Sequence, residues 1–134
     1  KMLSEVIVSR GLLRSSLTEA VQLGLWGEGA TSCEGSEWKM LSEAERLSRC
    51  RSLRVMAAAS PTDIASLARS LQKANEVVAV TGDSPCDLRT FHQADVSVVL
   101  QGRGDDHVRS TADIVCAGEG LSGLYRAIMW GRVL

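Results

Sequence analysis

The chain has 134 residues, 45% of them hydrophobic and 23% charged, with a formal net charge of -1 from 15 basic and 16 acidic residues. This composition excludes a disordered, collagenous or coiled-coil chain and fits one globular domain or a large piece of one. Near-neutral charge leaves no global basic field for a nucleic acid or an anionic membrane, and the longest apolar runs, such as Val77 to Val80, fall far short of the ~20 residues of a membrane helix.

Short β-rich runs alternate with helix-period segments, which predicts βαβ units and an α/β fold with a parallel sheet. Glu5 to Ser9 reads as a strand. Ser15 to Leu23, with hydroxyl caps and Gly24 as a stop, reads as a helix. A Gly-rich loop around Gly27, Gly29 and Gly35 precedes a short helix from Ser42 to Arg49. Leu53 to Ala58 is the next strand. Ser60 and Pro61 then supply a cap and a first-turn proline for a helix over Thr62 to Lys73, with an apolar stripe at Ile64, Leu67, Ala68 and Leu71. Glu76 to Val80 is almost wholly apolar, as expected of a central parallel strand covered on both faces. Val96 to Leu100 is a further strand and Gln101 to Ser110 a polar loop. Ile114 to Cys116 is a last short strand before the helix Leu121 to Val133. The pentapeptide KMLSE occurs at Lys1 and Lys39, but the flanking residues do not match, so it marks no repeat.

The N-terminus carries no signal-peptide pattern. The chain opens on Lys1 and ends in an apolar, helix-like stretch, which predicts a piece of a longer protein. Cys33, Cys50, Cys86 and Cys116 lie far apart without a CxxC or Cys/His cluster, which argues against zinc and for reduced thiols. His92 and His107 lack partners at metal-ligand spacing and are expected at the surface. Trp26, Trp38 and Trp130 are scattered, a pattern that suits packing more than base stacking. Asp105, Asp106 and His107 read as a solvated loop, and Asp95 and Asp113 as structural or capping residues. In the last helix, Leu121, Leu124, Tyr125, Ile128 and Met129 form a stripe that reads as core packing.

In open parallel sheets, ligands bind beyond the carboxyl ends of strands. The turn after the most apolar strand is Thr81, Gly82, Asp83, Ser84, Pro85, Cys86, Asp87. Two carboxylates four residues apart at a strand end can converge on a hard cation such as Mg²⁺, and Gly82 lets backbone approach a ligand. An Asp after a strand and an Asp in the first helical turn are equally ordinary caps.

The segment EVVAVTGDSPCDLRTFHQADVSVVL resembles the hinge segment of P-type ATPases, VAVTGDGxNDxPALKxADVGxAM. LRVMAAASPTDIASL resembles the calcium-pump stretch KLRVLARSSPTDKxxL, and STADIV with IMWGRVL resembles ASDIIL and the following WGR. CEGSEWKMLSEAE is similar to the EGxEFRxLSxEE of plasma-membrane-type calcium ATPases. Order and spacing agree from about Glu5 to the end. The resemblance implies a Rossmann-like, haloacid-dehalogenase-type three-layer domain over residues 1–134, with the helix from about 119 to 134 leading toward a membrane helix. It also implies a place on the cytoplasmic face of a membrane, without insertion of this segment. The implied activity is that of a cation translocase, in which ATP, bound through a nucleotide-binding domain, phosphorylates an aspartate and drives Ca²⁺ transport. The implied partners are the nucleotide-binding, actuator and membrane domains of the same polypeptide.

The resemblance also assigns residues. Thr81 and Gly82 fall in the TGD turn, Asp83 on the Mg²⁺-binding aspartate and Asp87 on the aspartate supporting that metal. Ser84 replaces a glycine and Cys86 an asparagine. Ile64 stands where the family carries the lysine that neutralises the aspartyl phosphate. Ser9 falls on the threonine that hydrogen-bonds the phosphoryl group, followed by Arg10 and Gly11 in place of a glycine and an aspartate. The phosphoacceptor motif DKTGT is absent. Loss of a cation from such a site costs on the order of ~3 kcal/mol of transition-state stabilisation, by analogy with loss of an oxyanion donor. Changes concentrated at Ile64, Ser84, Cys86 and Arg10, with scaffold residues typical, favour a catalytically impaired pseudo-ATPase over a working pump. A free-standing phosphatase would need a DxDx motif after the first strand, and a dinucleotide-binding protein a GxGxxG, and neither is present.

Overall fold

The computed structural model describes residues 6–8, 11–100, 102, 104–118 and 120–133. The chain is mixed α/β with wholly parallel strand pairing, the Rossmann-like class expected. It divides into two compact units, residues 1–76 and 77–134.

In the first unit the elements are β1 (Ile7–Val8), α1 (Leu13–Gln22), β2 (Thr31–Glu34), α2 (Gly35–Met40), α3 (Glu43–Arg49), β3 (Leu53–Ala57) and α4 (Pro61–Lys73). β3 lies between β1 and β2, in parallel register with both: Val8 faces Met56 and Cys33 also faces Met56. The centre of the sheet is therefore the most buried strand, with Val55, Met56 and Ala57 fully covered. The core joins Cys33, Trp38, Cys50, Leu53, Met56 and Leu67, with Ile64 and Leu71 of α4 packed against it. Each large apolar side chain so buried contributes about 1.5–3 kcal/mol. Trp38 is 1% exposed and satisfies its indole N–H on Ser66 Oγ at 3.1 Å, while the Arg46 guanidinium lies 5.8 Å from its ring centroid.

The expected α4 is present with its cap. Ser60 Oγ accepts from the Asp63 N–H, and the Asp63 carboxylate accepts from the Ser60 N–H at 2.8 Å. The same reciprocal capping by Ser42 and Glu45 starts α3. Helix α1 departs from expectation. It starts two residues before Ser15 without a side-chain cap, and Ser16, buried within it, donates to the Leu12 carbonyl four residues back. Gly24 closes it at φ +73°, as expected of a helix stop. The Gly-rich loop contains a strand and the start of a helix. Thr31–Glu34 pairs with β3 as an edge strand, and Gly35 opens α2 because nothing larger fits. A Cβ on Gly35 would lie 2.7 Å from both the Ala58 carbonyl oxygen and Asp63 Oδ2.

The second unit comprises β4 (Ala79–Thr81), a 3₁₀ turn (Pro85–Asp87), α5 (Leu88–Gln93), β5 (Val96–Leu100), α6 (Asp106–Thr111), β6 (Ile114–Cys116) and α7 (Leu121–Val133). β5 is the middle strand, in parallel with β4 and β6. Ser97, Val98 and Val99 are buried, and Phe91, Val99 and Val108 form the core. The Glu76–Val80 run is therefore not the centre of this sheet. Among the described residues β4 is its edge, and Val77 is 84% exposed. The polar Gln101–Ser110 segment holds helix α6, started by Asp105, whose carboxylate accepts from the Val108 N–H at 2.9 Å. In α7, Leu124 and Ile128 are partly covered, but Tyr125, Met129 and Trp130 are exposed, so the stripe is not a closed core face. No helix among the described residues is long and apolar enough to cross a membrane.

Candidate functional site

The turn singled out from sequence sits at the carboxyl end of β4. Thr81 ends the strand, and the Gly82 N–H donates to the Val98 carbonyl at 3.2 Å, carrying the ladder one residue past it. The chain then folds back on itself through Asp87. Its Oδ2 accepts the N–H groups of Asp83 and Ser84, each at 3.0 Å, while Ser84 Oγ accepts from the Cys86 N–H. Gly82 is required by this closure, because a Cβ there would lie 2.7 Å from Asp87 Cβ and 2.8 Å from Phe91 Cε1. On the other flank, the loop after β5 reaches the turn at Gly104. Its φ is +77°, and a Cβ on it would lie 3.5 Å from the Asp83 carbonyl oxygen.

The two carboxylates of the turn differ in what they hold. Asp87 is half-buried and commits one oxygen to two backbone donors, so it shapes the turn. Asp83 is exposed at the strand end, and Cys86 is exposed in the same turn. Mg²⁺ takes oxygen ligands, keeps several waters and is commonly held by one or two carboxylates together with phosphate oxygens. An exposed Asp83 on a turn fixed by Asp87 fits such an ion. Among the described residues no group of three or more His, Cys, Asp or Glu forms a protein-only cage.

In the first unit, Ser9 and Arg10 lie outside the described residues. Ile64 is half-buried, one residue past the α4 capping box, and packs against the core. The sequence shows no basic residue near Ile64 before Arg69, but the fold brings one from α2. Lys39 Nζ lies 3.6 Å from Asp63 Oδ2, which is 2% exposed. The ammonium balances a buried carboxylate that also accepts from Ser60 Oγ at 2.7 Å. No linear spacing signals this pair, because it depends on Gly35 letting α2 close on α4.

The remaining candidates are structural. Asp95 Oδ2 accepts the Val78 N–H at 2.8 Å, and Asp113 Oδ2 accepts both the N–H and the hydroxyl of Ser97, at 2.8 and 2.9 Å. These donors hold the Asp113 carboxyl below its usual range. A carboxylate with a depressed folded-state pKa stabilises the fold above its unfolded pKa of about 3.9, and that contribution disappears as pH falls through the lower folded value. Asp113→Ala is therefore expected to lower the melting temperature by a constant amount from pH 7 to about pH 5, with the gap to wild type closing below about pH 4. A gap unchanged down to pH 2 in thermal scans sinks this assignment. All four cysteines are free, and burial pushes the Cys33 thiol up to about 11, so it is an inert packing residue at neutral pH. His92 and His107 are exposed, as expected.

No family model matches the chain. Among characterised proteins, it is 36% identical over 115 residues to calcium-transporting ATPase 2 of Schizosaccharomyces pombe, covering 86% of this chain and 9% of that protein. It is 32% identical over 115 residues to the plasma membrane-type calcium-transporting ATPase 4 of Arabidopsis thaliana, covering 86% of this chain and 11% of the relative. With calcium-transporting ATPase 2 of Saccharomyces cerevisiae it shares 35% identity over 105 residues, 78% of this chain and 9% of the relative. The chain is therefore similar, over 86–88% of its length, to a segment of these calcium-transporting ATPases, plasma membrane types among them, and spans about a tenth of the length of the relatives it matches.

Proposed function

We propose that residues 1–134 form part of the phosphorylation domain of a P-type Ca²⁺-transporting ATPase on the cytoplasmic face of a membrane, with about 119–134 leading toward a membrane helix. The nucleotide-binding, actuator and membrane domains of the same polypeptide are its partners. The observation that carries this reading is the turn at the end of β4, where Asp83 stands exposed on a backbone fixed by Asp87. Bound there, Mg²⁺ supplies charge neutralisation at phosphoryl oxygens. Asp83 would hold it with support from Asp87, which also fixes the turn by accepting the Asp83 N–H, and Thr81 and Gly82 bring backbone to the strand end. Ser9 would offer the hydroxyl, and ATP would reach the site through the nucleotide-binding domain.

A second reading, a catalytically impaired pseudo-ATPase acting as a regulatory or interaction module, is favoured by Ile64. An apolar side chain packed on the core cannot neutralise a phosphoryl group, and Lys39, which reaches the neighbouring Asp63, is matched by that carboxylate. Labelling of the longer polypeptide with γ-labelled ATP separates the two. Calcium-dependent, acid-stable and hydroxylamine-sensitive label supports a working pump. Its absence from folded protein supports the impaired module.

A further inference from the structure

Helices α3 and α4 pack side by side, and a groove of about 200 Å³ lies between them, lined mainly by Glu43 and Arg46 of α3 and by Ser66, Arg69, Ser70 and Lys73 of α4. On α4 these four follow the i, i+3, i+4, i+7 spacing of one helix face, while Ile64, Leu67 and Leu71 pack on the core. The groove is therefore a polar feature beside the core and no gap within it. Three cations stand there against one carboxylate, an excess of two positive charges in a chain whose formal net charge is -1. One of these cations is held in place. Arg46 Nε donates to the Trp38 carbonyl and Nη2 to the Lys39 carbonyl, each at 3.1 Å, and Nη1 donates to Ser66 Oγ at 3.4 Å. Three of the five N–H donors of a guanidinium are thereby used, which fixes the group before any ligand arrives. Ser66 Oγ also accepts the Trp38 indole N–H at 3.1 Å. A hydroxyl has two lone pairs and one proton, so Ser66 is filled as an acceptor and its proton has no acceptor among the described residues. Ser70, by contrast, donates its own proton to the Ser66 carbonyl at 3.0 Å.

We propose that the α3–α4 groove binds a phosphate monoester dianion: the Ser66 hydroxyl and the Arg46 guanidinium donate to its oxygens, and Arg69 and Lys73 balance its charge. The volume lies below the ~300 Å³ at which sites for drug-sized ligands begin, so the groove takes a phosphoryl group and its ester oxygen rather than a nucleotide. Such a group carries about −1.5 to −2 charge near pH 7, which matches the excess, whereas a single carboxylate leaves one positive charge unmet. Arginine and hydroxyl donors suit phosphoryl oxygens. Glu43 competes by pairing with Lys73, but these side chains are 73% and 50% exposed, so the pair costs little to separate. The site lies wholly within the first unit, and the inference stands independently of the proposed function.

NMR titration of the 134-residue chain with inorganic phosphate, and separately with a short phosphoserine peptide, tests this against potassium chloride at matched ionic strength. Saturating shifts are expected in residues 43–49 and 66–73 with either phosphate probe and not with chloride. A tighter response to the peptide assigns the phosphate to a modified side chain, and an equal one to free phosphate. Removing Ser66 would also strip the Trp38 indole of its acceptor, so variants of the exposed charges carry the comparison. Arg69→Gln combined with Lys73→Gln is expected to weaken binding about fivefold, and Glu43→Gln, which removes the competing carboxylate, to tighten it about threefold. Shifts that follow ionic strength without saturating overturn the site, as does an affinity unchanged in both variants. Equal saturation by acetate overturns the dianion assignment. Phosphate shifts confined to residues 81–87 would concern the Asp83 turn and would likewise overturn the groove.

Discussion

Asp87→Ala is expected to destabilise the chain by about 2 kcal/mol and to disorder the turn after β4, whereas Asp83→Asn should leave stability within about 0.5 kcal/mol. The asymmetry follows from what each carboxylate touches. Asp87 accepts two backbone N–H groups that lose this acceptor when it is removed, and the Ser84 N–H is partly shielded from water. Hydrogen bonds to a charged acceptor are worth about 1.5–3 kcal/mol each when buried, and exposure of Asp83 reduces its share. Removing Asp87 also leaves an unfilled space beside Gly82, whose backbone was packed against the Asp87 side chain. Asp83, by contrast, is exposed at the end of the strand. Its substitution should instead abolish Mg²⁺-induced NMR shifts in residues 81–87, with the urea midpoint unchanged. Equal loss of stability in the two variants would contradict the division of roles. Persistent Mg²⁺ shifts in Asp83→Asn would remove the metal assignment.

That division also marks how far sequence carries. Two carboxylates four apart after a strand are consistent with a cap or a cation site, and the resemblance assigns both to metal. That Asp87 bends back onto the Asp83 and Ser84 amides is a property of the folded turn that spacing does not reveal. Helix α4 was legible throughout, because Ser60, Pro61 and Asp63 are strong local signals that need no distant partner. β2 was not, because Thr31–Glu34 is a short polar edge strand without alternation, and its pairing with β3 is a tertiary event. β4 shows the opposite error. Apolar content points to a central strand, but composition cannot count neighbours, and among the described residues β4 pairs with β5 alone, with Val77 and Ala79 exposed. Helix α6 was hidden by polar residues, although the Asp105 cap preceding it is the same kind of signal that revealed α4. Lys39 beside Asp63 had no linear signature at all.

Ile64→Lys is expected to trade stability for chemistry. Ile64 packs against a core that includes Cys33, Trp38, Met56 and Leu67, so its replacement loses branched apolar surface. A lysine stem keeps part of that contact while its ammonium reaches water from a half-buried position, which holds the cost to about 1–2 kcal/mol. On the proposed function the same ammonium becomes available to phosphoryl oxygens. A positioned charge of this kind is worth on the order of ~3 kcal/mol in the transition state, or roughly a hundredfold in rate. In the longer polypeptide, Ile64→Lys should therefore raise the initial rate of phosphoenzyme formation by about two orders of magnitude, while urea denaturation of the 134-residue chain shifts to lower concentration. Ile64→Met, which fills similar volume without charge, should leave both near wild type. A gain in rate with lysine but not methionine would identify charge as the missing element. Folded Ile64→Lys protein with no gain would place the block at Ser84, Cys86 or Arg10, the other positions where the residue type departs from the resembled segment.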